Sequence, residues 1–152
     1  MNDTVVARPC WTVLTKKAED KIALIQNELV QARTRLESLQ ISQQRVQKMY
    51  DEYRDSLNRS DSQSLGMREA MNQRQFMSQL LTLMQRVKTD TLYTENAIIG
   101  IKERLVAAER ERIKMQTLAD QNAQAVRREE NKKDQRRMDA LGVMQFNLKP
   151  QT

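Results

Sequence analysis

The sequence predicts an all-α fold: a long antiparallel two-helix coiled coil, or α-hairpin, whose C-terminal helix overhangs its partner. Three observations predict it. Apolar residues recur at alternating steps of four and three over most of the chain, the spacing that turns one stripe of a helix toward a second helix. Three glycines and two prolines among 152 residues are too few for the turns of a sandwich, a barrel or a repeated βαβ wind. Aromatic residues make up only 4% of the chain, so the bulky side chains that fill a compact core of this length are missing. These counts argue against an ordinary globular enzyme domain. The regular apolar spacing argues against disorder, which the charged content alone would suit.

The first helix is read from a seam with a positions at 15, 22, 29, 36, 43, 50 and 57 and d positions at 11, 18, 25, 32, 39, 46 and 53. Twelve of these fourteen are apolar, Thr15 and Gln43 being the exceptions. The helix is predicted from about Pro9 or Thr12 to Asn58, in round terms 10–58, with Pro9 suited to a first turn where no backbone N–H is needed. Residues 59–66, small and polar, form the single turn, and Ser64 or Gly66 can cap a second helix. The heptad then restarts with a at 77, 84, 91, 98, 105, 112, 119 and 126 and d at 80, 87, 94, 101, 108, 115 and 122. Eleven of those fifteen are apolar. Arg136 and Arg137 suit a helix C-terminus and Gly142 a C′ residue, so the second helix is predicted over about 67–141, with 142–152 a flexible tail.

A short turn between long helices folds them back antiparallel within one domain, 1–152. At 1.5 Å per residue the arms come to roughly 70 and 110 Å, so the second overhangs. With the turn centred near residue 62, Trp11 is expected opposite 113 or 114. Met115, Leu118, Ala119 and Val126 then continue an apolar stripe without an intramolecular partner, as a contact surface does.

Charge is unevenly placed. Residues 1–66 hold 10 basic and 9 acidic groups, residues 67–152 hold 16 and 11, and the net is +6. No apolar run approaches the roughly 20 residues that span a bilayer, and Met1–Arg8 lacks a run of signal-peptide length, so a cytoplasmic protein is expected. Cys10 is the sole cysteine and no histidine is present. With no imidazole, no Gly-rich phosphate loop and no cluster spaced to hold a metal, neither catalysis nor a cofactor is expected. Nothing upstream of Cys10 would lower its pKa, and carboxylate pairs such as Glu109 with Glu111 read as a solvated helix face.

Two surfaces stand out. Residues 127–137 contain six cations and three anions. They suit an exposed helix laced with i,i+4 pairs or a protein partner with an acidic ring or groove, and they suit nucleic acid poorly because no aromatic residue is interleaved. Near the turn, Met49, Phe76, Leu81 and Leu83 lie off the seam. Methionine adapts to irregular partners and aromatic residues dominate binding energies, so these residues form a docking patch or a local thickening of the core. Gly100, in mid-helix, serves as a bend or as a place where a partner's backbone comes close.

The segments Met49–Asn58, Asn72–Leu80 and Glu130–Asp139 resemble, in order and spacing, the FliJ family of flagellar export proteins, and the likeness runs from about Trp11 to Asp139. The resemblance implies a non-enzymatic component of the flagellar type III export apparatus, peripheral to the inner membrane through its partners. Such a protein inserts into the ring of an export ATPase of the FliI type, promotes its hexamer assembly and activity, and links it to an FlhA-type gate protein and to export chaperones. By motif, the gate would meet Val46, Met49, Tyr53, Phe76, Leu80, Leu83 and Val87. The ATPase would meet Met115, Val126, Arg127, Arg128, Lys132, Lys133, Arg136, Arg137 and Met138. Two alternatives stay open: the stalk of a virulence type III secretion injector, and a generic scaffold that homodimerises to cover its overhang.

Overall fold

The computed structural model describes residues 9–60 and 66–149. These form two α-helices: α1, Pro9–Ser60, of 52 residues, and α2, Met67–Leu148, of 82. The helices pack against each other as an antiparallel coiled coil, and no strand occurs among the described residues. Met1–Arg8, residues 61–65 of the turn including Ser64, and 150–152 of the expected tail lie outside the described residues.

α1 is described from Pro9 onward. At the start of α2 the Gly66 carbonyl accepts from the N–H groups of Glu69 at 3.0 Å and Ala70 at 3.2 Å, so Gly66 is the residue that opens the helix. The C-terminus differs from the expectation. α2 does not stop at Leu141 but passes through Gly142, which has no positive φ, and continues to Leu148. One mid-helix glycine costs about 1 kcal/mol relative to alanine, and Met144, Gln145 and Leu148 beyond it are helix-compatible residues, with no proline before position 150.

Contacts divide the chain into two units, each holding part of both helices. In the unit Leu24–Leu105, Ile25, Leu29 and Val46 of α1 and Leu80, Val87 and Ile98 of α2 are buried. Each such side chain contributes about 1.5–3 kcal/mol through the water it sheds. In the other unit, which pairs α1 through Ala23 with α2 from Val106, Thr15, Ile22 and Ala108 are buried. The polar seam residues satisfy themselves locally. Thr15 donates its hydroxyl to the Trp11 carbonyl, Thr91 to Val87 and Thr94 to Asp90, each at 2.8 Å. That back-bonding lets a β-branched polar residue sit inside without an orphaned hydroxyl. Arg112, charged at an a position, keeps its head group bonded to Glu109 at 3.1 Å.

All fifteen α2 seam positions are buried or half-buried, as are twelve of the fourteen on α1. The exceptions are Tyr53 and Gln43; Ser42 turns inward where the heptad places Gln43. A buried glutamine amide needs partners that an apolar seam does not offer, and serine is small enough to leave the seam closed.

The register is also shifted from the expectation. Arg104 donates to Glu28, and the rings of Tyr53 and Phe76 sit 4.8 Å apart between centroids. The numbers of the two pairs add to 132 and 129, which centres the hairpin near residue 65 rather than 62. Met115 and Leu118, expected beyond the reach of α1, are half-buried.

Gly100 has a helical backbone and open space where a Cβ would stand, with no atom within 4 Å. Gly100→Ala is expected to stabilise the chain by about 1 kcal/mol, because alanine loses less backbone entropy on entering a helix. A higher urea midpoint at unchanged m value would show it; a lower midpoint would mean that something fills that space.

Candidate functional site

Two surfaces carry the residues singled out by sequence, one in each unit. The first lies in Leu24–Leu105. The helical positions of Tyr53 on α1 and Phe76 on α2 bring their rings together at 52° between planes, a tilted pairing worth about 0.5–1.5 kcal/mol beyond area burial. Tyr53 is 36% exposed, Met49 and Phe76 are half-buried, and Leu83 is exposed. Val46, Leu80 and Val87, which share the same motif mapping, are 7%, 5% and 7% exposed and belong to the seam. The structure thus separates the seven residues into an accessible set, Met49, Tyr53, Phe76 and Leu83, and a supporting set beneath it. The Oε1 of Gln73, one turn before Phe76 and Met77, is buried with no hydrogen-bond partner among the described residues, an acceptor left open beside the patch.

The second surface lies on α2 in the other unit. Its inner stripe, including Met115 and Val126, stays half-buried as far as Glu129; from Glu130 to Lys149 every residue is exposed. Arg127, Arg128, Lys132, Lys133, Arg136 and Arg137 all reach solvent. The closest acid to Arg137 is Asp134, at 3.9 Å and on a fully wet face, an ion pair of little consequence for stability. A second apolar line, which sequence reading overlooked, runs on from these cations. Met138, Leu141, Met144 and Leu148, spaced by three, three and four residues, line one side of the helix and are exposed, while Phe146, also exposed, projects from the opposite side. The spacing was a usable signal, masked by reading Gly142 as a stop.

Neither surface has the furniture of a reaction site. Among the described residues no group of three or more potential ligands could hold a metal, and Cys10 is exposed within the first turn of α1. A shallow concavity bordered by Gln40, Gln44, Gln47, Lys48, Asp51 and Asp55 is lined by α1 alone, a furrow between side chains rather than an enclosed pocket. No described helix is long and apolar enough to cross a membrane.

These features define a coiled-coil hairpin protein with exposed apolar and basic helix faces. A family profile described as "Flagellar FliJ protein" matches residues 12–151, nearly the whole chain, and the chain belongs to the FliJ family, non-catalytic components of the flagellar type III export apparatus. Comparisons with curated proteins and with solved structures give no match.

Proposed function

We propose that this protein is the stalk of the flagellar export ATPase. Its α2 overhang enters the ATPase ring, promotes hexamer assembly and turnover, and leaves the Tyr53–Phe76 patch to meet the cytoplasmic domain of the gate protein, with export chaperones as further partners. One observation carries this reading: twenty consecutive helical or near-helical residues, Glu130–Lys149, lack cover from the rest of the described chain and combine cations with an apolar stripe. A helix with that surface suits a channel lined by acidic and apolar groups, and its action is allosteric. Contacts made only with the assembled ring shift the ring's population toward the assembled, active state, with no chemistry on the stalk itself. The protein then resides in the cytoplasm at the flagellar base, held at the inner membrane by its partners.

Titrating the purified chain into a purified flagellar export ATPase, while following turnover and ring formation, tests the proposal. Both are expected to rise. No change in either would remove the stalk role.

The gate contact has its own test. Phe76→Ala is expected to weaken binding of the gate protein's cytoplasmic domain by about tenfold, the usual scale for truncating an aromatic anchor. Helicity should hold, since Phe76 is only half-buried. Equal binding of variant and wild type by calorimetry would count against the patch.

A further inference from the structure

A third surface, on the outer side of α2 within Leu24–Leu105, is used by neither proposed contact. Leu81, Leu92 and Ile99 are 49%, 54% and 56% exposed. At 100° per residue, positions 81, 92 and 99 fall within about 20° of one another around the helix, so they form a single line. Lys88 and Glu95 border that line, four residues before and three after Leu92, both exposed. Neither makes an ion pair with another described residue.

We propose that this face binds a second copy of the chain, with the two α2 helices antiparallel and a two-fold axis passing close to Leu92. The charge pattern points to that occupant. A base and an acid seven residues apart, with a large aliphatic residue midway, are self-complementary under a perpendicular two-fold: Lys88 of each copy meets Glu95 of the other, twice, while Leu92 meets Leu92. Leu81 of each copy then lies within one turn of Ile99 of the other. A parallel arrangement would set Lys88 against Lys88 and Glu95 against Glu95. An anionic lipid surface fits less well, because the two charges on this face cancel. The interface is small, so association is of the weak, transient class. It does not rest on the stalk reading.

Sedimentation of the full chain up to about 100 µM, within the range of small interfaces, is the test. The wild type is expected to dimerise reversibly. Lys88→Glu and Glu95→Lys each place like charges together twice, and each is expected to raise the dissociation constant by about tenfold or more. Carrying both substitutions in one chain restores the opposite pairing and is expected to restore the dimer. Circular dichroism should be the same for all four proteins, because both positions are exposed. A wild type that stays monomeric throughout, single variants that dimerise as the wild type does, or a double variant that stays monomeric would each overturn the proposal.

Discussion

Leu80→Ala is expected to destabilise the protein by about 2–4 kcal/mol, the cost of removing a buried leucine from a seam that relaxes only in part. Leu80 is a d residue and one of the most buried side chains on α2. A two-helix structure has no second layer to close over a missing side chain, so the hole stays at the interface between α1 and α2. Urea unfolding followed by helical ellipticity should show an earlier midpoint at nearly constant m value. The experiment also decides what Leu80 does for the gate. If the variant loses gate binding only as it loses structure, Leu80 supports Phe76 and Leu83 from beneath. A variant with wild-type stability and weakened gate binding would instead make Leu80 a contact, and would require the helices to part there. Val46 and Val87, buried alike, should behave in the same way on a smaller scale, since valine removes less surface from water.

Replacing Lys132, Lys133, Arg136 and Arg137 together by glutamine is expected to raise the half-maximal concentration for ATPase stimulation by about tenfold or more at low salt, while leaving thermal stability unchanged. All four side chains are exposed, so their charges contribute almost nothing to folding, and glutamine matches lysine and arginine closely in helix propensity. Their effect on a partner is different in kind. Four cations on about one and a half turns steer association toward an acidic surface and suppress wrong partners. Because salt screens exposed charges, wild-type stimulation should decline as salt is added, and the substituted chain should show a shallower decline. Unchanged stimulation would leave the apolar stripe from Met138 to Leu148 as the main contact, and Leu141→Ser with Met144→Ser would then be the informative pair.

Much of the fold was legible in the sequence because a heptad is a local code. Which side of each helix is apolar follows from spacing alone, and the α2 seam is inward at every position read for it. The family was legible too, from three short segments rather than from the heptads, which all coiled coils share. Other features needed the neighbours. Gly142 invites a helix end, yet whether a helix stops depends on the residues after it as well as on one weak position, and here α2 continues. Gln43 and Ser42 are adjacent candidates for one inward place, and the fit of the opposing helix selects the smaller.

The candidate site divides in the same manner. The cations of 127–137 and the Met and Phe residues near the turn could be named from the sequence, because charge and side-chain type need no coordinates. Their accessibility could not. Val46, Tyr53, Leu80 and Val87 share a seam code, yet three are buried and Tyr53 is set toward the edge, against Phe76.

The sequence by itself determined two long amphipathic helices of unequal length, one reversal between them, a basic excess in the second half and membership of the FliJ family. Tertiary structure decided the axial register within Leu24–Leu105, marked by Arg104 with Glu28 and by Tyr53 with Phe76. The reason is that periodicity specifies a direction around a helix axis but not a position along it. A heptad repeat looks the same after every seven residues, so only contacts between the two helices can choose among the registers that the repeat allows.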